Sequence, residues 1–356
     1  MEELNLINLK QDDNRIKYLD CLRIIATFLV IVIHVISINW YDVAIETFEW
    51  KVLTFYDAFS RWAVPIFVMI SGVLFLGKAQ EINKLYKKNI LRMVVAFLVW
   101  AIVYALIYIF SYGFELKSFV AQIIGGYYHL WFLFMIVGIY MVVPFLNKIV
   151  ESDILIKYFL SLAFGFNFLI PFIIAIISIF SDTLGSFANE TLNKMNLYMI
   201  SGYVSYFIAG YYLNKIELKT WQKRIIYFGG IIGFLVTILF TIIFSQMQQE
   251  KIVSFFDYNS LNVMLMSVAI FVFAKSNFNK LSNKKIEDGI KKLSKCTFGI
   301  YLIHVIFIEQ FNLKFNFNSI SFNPVFSVPI ISIIVFVISA LFSKFLNRIP
   351  IINKIV

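Results

Sequence analysis

Long uninterrupted apolar stretches constrain this 356-residue chain more than any other feature. Crossing a bilayer as a helix takes about 20 apolar residues in a row, whereas a membrane β-barrel would show alternating segments of about ten residues. The apolar stretches here are continuous, and the chain is 60% hydrophobic and only 15% charged. Because soluble domains are about 25% charged, the sequence predicts an all-α polytopic membrane protein and excludes a soluble enzyme, a disordered chain and a coiled coil.

The hydropathy pattern predicts about ten transmembrane helices in one domain, residues 20–346, between an N-terminal segment, 1–19, and a tail, 347–356. The expected spans are 20–39, 54–76, 90–112, 129–146, 158–180, 197–213, 225–245, 260–274, 295–312 and 324–346. A polar start precedes the first span and no A-x-A cleavage site follows it, so we expect this span to remain as an anchor.

The connections between the spans differ strongly in their content of Lys and Arg. The two ends of the chain and every second connection together hold 23 of these residues, and the remaining connections hold five. Cytoplasmic loops of membrane proteins are enriched in Lys and Arg, so both termini are predicted to be cytoplasmic. This bias accounts for the net charge of +10 without a nucleic-acid partner. The most basic connection, 275–295, is a topology determinant or a contact for CoA or lipid headgroups.

Neither the cysteines nor the histidines have the spacing of a metal site. Cys21 and Cys296 lie at predicted cytoplasmic helix ends, where ordinary reduced thiols are expected. The three histidines are far apart in the sequence. We therefore expect neither a metal nor a permanently bound cofactor.

Arg23 and His34 are ionisable residues inside the first span, and such groups are costly at membrane depth and are functional candidates for that reason. Eleven helical steps of about 100° complete about three turns, so both side chains share one face, about 16 Å apart along the axis. A cation near the cytoplasm and a deeper imidazole suit a long donor such as an acyl-CoA, with phosphates at one end and a thioester at the other. The alternative is that Arg23 snorkels to headgroups and His34 bonds a neighbouring helix.

Four segments of the chain resemble motifs of the acyltransferase 3 family of integral membrane acyltransferases. The first is the Arg, ten residues, His arrangement in DCLRIIATFLVIVIHVI. The others follow in the family's order: SRWAVPIFVMISG (60–72), YYHLWFLFMIVGIYMVVPFL (127–146) and CTFGIYLIHVIFIE (296–309). Many members carry adjacent arginines where the third span begins. This chain has Lys87 and Lys88 with Arg92 instead, and Lys binds phosphate as a point charge rather than a fork.

The resemblance implies transfer of an acyl group, often acetyl, from cytoplasmic acyl-CoA to a hydroxyl of a surface polysaccharide, its lipid-linked precursor or another envelope glycan. A sugar hydroxyl is a poor nucleophile at neutral pH, and an imidazole with an ordinary pKa of about 6.5 is a suitable base. We expect His34 to be this base, or a transient acyl carrier. Arg23 would hold the donor phosphates or the thioester region. Lys87, Lys88 and Arg92 would contact the CoA phosphates, unless they are only a basic flank.

The remaining candidates lie in the outer half of the predicted bundle. Arg61 is expected to contact an acidic acceptor or to stabilise the oxyanion, with an interface anchor as the alternative. His304 would orient the acyl group or relay a proton. Glu309 lies about 140° around the helix from His304, so we expect it to face His34 and orient its ring. His129 would bind glycan or belong to an aromatic belt.

Two other function classes remain open from the sequence. A transporter or flippase for a lipid-linked saccharide or small solute would also need intramembrane Arg and His, although we find neither an inverted repeat nor paired Gly/Pro-broken helices. A membrane sensing or scaffold module is the third class. The Ile-, Lys-, Asn- and Phe-rich composition indicates an AT-rich bacterial genome, and therefore a bacterial cell membrane.

Overall fold

The computed structural model describes residues 15–78, 81–197, 200, 202–280, 282–350 and 353, and within them the regular structure is helical. Most of the predicted segment 1–19 and the end of the tail 347–356 lie outside these residues. The α-helices are α1 (Lys17–Ser37), α2 (Phe48–Ser60), α3 (Ala63–Phe75), α4 (Leu91–Tyr112), α5 (Leu116–Gly125), α6 (Trp131–Val150), α7 (Asp153–Ala163), α8 (Ile170–Phe180), α9 (Asp182–Lys194), α10 (Val204–Lys215), α11 (Thr220–Gln248), α12 (Leu261–Asn277), α13 (Lys284–Ser294), α14 (Thr297–Phe315) and α15 (Pro324–Leu346). Shorter helical turns are Ile82–Lys84, Leu85–Ile90, Tyr128–Leu130, Phe164–Leu169, Ser254–Phe256 and Phe278–Lys280.

Nine helical stretches of the described chain are long and apolar enough to cross a membrane, which confirms the all-α polytopic class. They correspond to nine of the ten predicted spans. The second stretch consists of α2 and α3, which are separated at Arg61 and Trp62. Pro65 lies in the first turn of α3, where the missing backbone N–H of proline costs least. The predicted span 197–213 corresponds to the 12-residue α10, and residues 198, 199 and 201 of that prediction lie outside the described residues.

Helix α1 is the centre of the bundle. It packs against α2, α3, α12, α13, α14 and α15, and its most apolar 18-residue window is 72% buried, against 22% for α11 at the periphery. Most of the α1 surface is therefore covered by other helices, and only a narrow part that includes Ile25 is exposed. Polar groups on the covered part meet other protein groups or line an internal cavity.

Helices α3 and α10 approach each other at backbone distance. A Cβ atom added to Gly72 would lie 1.8 Å from the carbonyl oxygen of Phe207, and one added to Gly210 would lie 2.2 Å from that of Met69. Small residues allow this approach between membrane helices. Gly72 is thus needed for the packing of α3 against α10, whereas its neighbour Ser71 lines an internal cavity.

Contacts between the connections divide them between two ends of the bundle. At one end, Lys17 Nζ lies 2.7 Å from Glu287 Oε1, which joins the N-terminal region to the basic connection 275–295. At the other end, the Ser319 hydroxyl donates to Asn39 Oδ1 at 2.7 Å. These contacts join connections that the Lys and Arg count assigns to the same side. The assignment of the first end to the cytoplasm stays a prediction.

Candidate active site

A cavity of about 380 Å³ runs alongside α1 and contains both of its predicted functional residues. Arg23 and Ser294 line one part of it, and His34 lines another together with Trp131 and Tyr258. The helical face shared by Arg23 and His34 is therefore turned toward an internal space. Further lining side chains come from α3, α4, α6 and α14: Phe67, Ser71, Arg92, Met93, Phe132, Tyr140, Phe298 and Tyr301.

The Arg23 part of the cavity carries excess positive charge. Asp20 is buried and pairs with two arginines: with Arg15, and with Arg23, whose guanidinium lies 3.4 Å from its carboxylate. The Ser294 hydroxyl also donates to this carboxylate, at 2.7 Å. Arg92 lines the same cavity, with its guanidinium 5.6 Å from the ring centre of Phe298. Because one carboxylate is shared by two guanidinium groups, and a third lies nearby, this end is suited to an anion.

Lys87 and Lys88 occupy the turn Leu85–Ile90 just before α4, and both side chains are exposed. They do not line the cavity, whereas Arg92, one turn farther on, does. Of the predicted donor-binding residues, Arg23 and Arg92 thus lie in one cavity and the two lysines lie outside it, at the start of the same helix.

All three histidines of the chain cluster beside the other part of the cavity, which His34 and His129 line. The ring centres of His34 and His304 are 5.1 Å apart, those of His129 and His304 are 5.4 Å apart, and those of His34 and His129 are 6.2 Å apart. They come from α1, from α14 and from the turn that precedes α6. Among the residues that the structure describes, no group of His, Cys, Asp and Glu side chains is arranged to hold a metal ion.

The buried His304 has a defined tautomer. Its Nδ1 atom lies 2.7 Å from the carbonyl oxygen of Tyr301 and 3.2 Å from that of Ile300. Carbonyl oxygens only accept, so Nδ1 carries the proton and Nε2 keeps its lone pair. That Nε2 atom is buried without a hydrogen-bond partner in the described part of the chain. His304 therefore offers a hydrogen-bond acceptor inside the cluster.

Glu309 contacts Tyr127 rather than the imidazole that the sequence analysis assigned to it. Its carboxylate accepts a hydrogen bond from the Tyr127 hydroxyl. Tyr127 also stacks on Tyr104 with ring centres 4.7 Å apart, and the Tyr104 ring packs with its edge against His129 at 4.9 Å. Tyr127 also packs against His129, with ring centres 6.1 Å apart. Glu309 thus reaches the cluster through tyrosine, so the expectation that it directly orients His34 is not supported by these contacts.

Tyrosines around the histidines were missed by the sequence analysis. Tyr128 packs edge-on against His34, with ring centres 5.4 Å apart, and the Tyr301 hydroxyl donates to the carbonyl oxygen of His129 at 2.6 Å. The proximity of these tyrosines to two of the histidines could have been predicted from the sequence. Tyr127 and Tyr128 directly precede His129, and Tyr301 lies one turn before His304. The helix pairing that brings them to His34 was not visible in the sequence.

Arg61 lies behind the cavity wall. It forms an ion pair with Asp57, and its guanidinium lies 4.5 Å from the ring centre of Phe256 and 5.8 Å from that of Tyr258, which lines the cavity. Asp57, which the sequence analysis did not select, balances the charge of Arg61. This pairing argues against the predicted contact with an acidic acceptor.

The fold and the cavity define an integral membrane protein with a cationic and an imidazole-rich region in one internal space. The sequence model of the acyltransferase domain that characterises the acyltransferase 3 family matches residues 16–344. Because this is nearly the whole chain, the protein belongs to the acyltransferase 3 family and is a multi-pass membrane acyltransferase. The comparison with curated proteins gave no match, and neither did the comparison with solved structures.

Proposed function

We propose that this protein transfers an acyl group, acetyl in the simplest case, from cytoplasmic acyl-CoA to a hydroxyl of a cell-surface polysaccharide or of its lipid-linked precursor. The proposed location is the cell membrane of a bacterium. One observation carries the proposal: Arg23 and His34 line the same internal cavity of about 380 Å³. A transporter or flippase, the alternative from the sequence, is not favoured, because the family is one of acyltransferases.

The donor would lie with its phosphates at the Arg23 end. Arg23 and Arg92 both line the cavity there, and bonds from guanidinium to phosphate are charge-assisted and strong. Lys87 and Lys88 would contribute attraction at longer range. The separation of about 16 Å between Arg23 and His34 along α1 suits a pantetheine arm that carries the thioester from the first region to the second.

The acyl transfer would occur beside the three histidines. His34 takes the proton of the acceptor hydroxyl as its oxygen bonds to the thioester carbonyl carbon. The C–S bond then breaks, and the CoA thiolate takes the proton back from His34, so the products are an ester and free CoA. The lone pair on Nε2 of His304, in a ring 5.1 Å from that of His34 and without a partner among the described residues, would accept a hydrogen bond in the reacting complex. His129 would contact the acceptor, and Arg61 would support the cavity wall.

The proposal is tested with purified protein in nanodiscs supplied with acetyl-CoA. We expect CoA to raise the melting temperature by mass action and acetyl-CoA to be consumed, with labelled acetyl groups recovered as base-labile esters on an envelope glycan fraction. His34→Ala should abolish the ester product and keep the shift with CoA. The matched control is Ile25→Ala, on the exposed side of the same helix. A folded His34→Ala protein with full activity would reject the role of His34, and absence of any CoA effect on the wild-type protein would favour a transporter.

A further inference from the structure

A second pocket, of about 420 Å³, lies outside the donor cavity. Helices α8 and α9 and the segment 254–260 form its walls. The connections that contribute to it, between α8 and α10 and between α11 and α12, belong to the side that holds few Lys and Arg residues and is predicted to face away from the cytoplasm. Its volume lies in the range of small-molecule sites. Neither the family motifs nor the proposed transfer step uses it.

Several side chains that line the pocket are amides, each of which can form more than one hydrogen bond. Asn189 and Asn193, one turn apart on α9, line it, and so does Asn259. An amide offers two donors and an acceptor with two lone pairs, which suits a ligand with many hydroxyls. The Oδ1 atom of Asn259 is buried and has no hydrogen-bond partner among the described residues. Such an unsatisfied acceptor is costly in the empty pocket and gains from a ligand hydroxyl.

Asp257 is the one charged residue among the described side chains that line this pocket. Its Oδ1 atom accepts the N–H of Asn259 at 2.7 Å, so the carboxylate is held in a tight turn at the rim. A carboxylate attracts an ammonium group and repels another carboxylate. The pocket is therefore suited to a neutral or amino-bearing ligand and unsuited to an acidic one.

The segment 254–260 also lies between this pocket and the donor cavity. Asp257 and Asn259 line the outer pocket, whereas Tyr258, between them in the chain, lines the donor cavity together with His34. Trp131 stacks on Tyr258 with ring centres 6.1 Å apart, and Tyr203 packs against Trp131 at 5.7 Å. A ligand in the outer pocket thus lies on the other side of one turn from the cavity that His34 and His129 line.

From these observations we infer that the outer pocket binds a sugar ring of the acceptor, next to the ring whose hydroxyl is acylated in the donor cavity, and that it selects neutral or amino sugars over uronic acids. The idea that the bound sugar belongs to the acceptor rests on the proposed function, whereas the binding of a sugar by this pocket does not. The shared chemistry is a sugar ring with several hydroxyls, whether that ring belongs to a polymer or to a lipid-linked precursor.

The experiment measures saturation-transfer NMR signals of methyl glucoside, glucosamine and glucuronate with the full-length protein in nanodiscs. We expect binding of the first two and about tenfold weaker binding of glucuronate. Asp257→Asn retains a side-chain oxygen for the turn and should abolish the difference between glucosamine and glucuronate. Asn193→Leu should weaken all three sugars. Glu190→Gln is the control, because Glu190 lies on the same helix, pairs with Lys194 and does not line the pocket.

The same NMR measurement on the His34→Gln variant distinguishes sugar binding in the outer pocket from the proposed acyl transfer. If that variant binds the sugars and makes no ester, both the pocket and the transfer step are supported. If the wild-type protein binds the sugars but consumes no acetyl-CoA, the proposed function fails and the binding site stands. Equal signals from glucuronate and glucosamine, or signals unchanged by Asn193→Leu, overturn the inference. Octyl glucoside below its micelle concentration would bind better than methyl glucoside if the acceptor is lipid-linked, and equally if it is a soluble glycan.

Discussion

The two parts of the donor cavity differ in their chemistry although they share one helix. The Arg23 part contains full charges that are largely paired, with Asp20 between Arg15 and Arg23. The His34 part contains three imidazoles and several tyrosines, and the nearest fully charged pair, Arg61 and Asp57, lies behind Tyr258. Permanent charge suits binding, and groups that exchange protons suit reaction. The comparison therefore predicts that substitutions at the two parts change different kinetic constants.

The largest effect is expected from the imidazole part. His34→Gln should lower kcat by about 10²- to 10⁴-fold, the usual contribution of a general base, and should leave the KM for acyl-CoA within a few-fold. Steady-state kinetics of CoA release measure both constants. A variant whose KM rises while kcat stays constant would show that His34 binds the donor instead.

Arg23→Gln should change mainly the KM for acyl-CoA, whereas His34→Gln should change mainly kcat. Loss of a charge-assisted contact with phosphate is expected to raise the KM for acyl-CoA by about tenfold or more with a smaller change in kcat. Arg224→Gln, an exposed residue of α11 outside the cavity, is the matched control. Equal losses of kcat and kcat/KM in Arg23→Gln would mean that Arg23 acts in the chemical step and not only in donor binding, contrary to the proposal.

A smaller effect is expected at the tyrosine contacts behind the histidines. Tyr127→Phe and Glu309→Leu each remove the hydrogen bond between these residues. Each should lower kcat by about five- to thirtyfold through a less well-held His129 turn, on the scale of about 1–2 kcal/mol for such a bond. The double variant should be no worse than the single ones, since both act on one contact. Additive losses in kcat would indicate that Glu309 acts on the reaction independently of Tyr127.

The smallest effect is expected from Lys87 and Lys88, which are exposed and lie outside the cavity. Replacing both with Gln should raise the KM for acyl-CoA by about two- to fourfold at low salt, and the difference should vanish at high salt because exposed charges are screened. KM measured over a series of salt concentrations tests this. A large effect that persists at high salt would place the lysines in direct contact with the donor.

The architecture followed from local properties of the sequence, and the assembly of the site did not. The span 20–39 was predicted from hydropathy and corresponds to α1, Lys17–Ser37. The common face of Arg23 and His34 followed from helical periodicity, and both residues line one cavity. The predicted span 197–213 is longer than helix α10, which has 12 residues. Hydropathy did not indicate that this short helix packs against α3 at Gly72 and Gly210.

The partners of the site residues depend on helix packing, which no single-sequence pattern specifies. The cluster of His34, His129 and His304 joins residues from three distant segments, and the sequence analysis treated them as scattered. The pairing of Glu309 with Tyr127 spans 182 residues. Asp57 could have been found as the partner of Arg61, because the two lie one helical turn apart.

The glycine contacts between α3 and α10 restrict how substrates can enter. Gly72 and Gly210 let the backbones of these helices approach so closely that a methyl group would not fit between them. An entrance for a bulky acceptor along this seam would require these contacts to be broken. An entrance beside the turn that bears Tyr258 would leave these backbone contacts intact, and that turn lies beside both pockets.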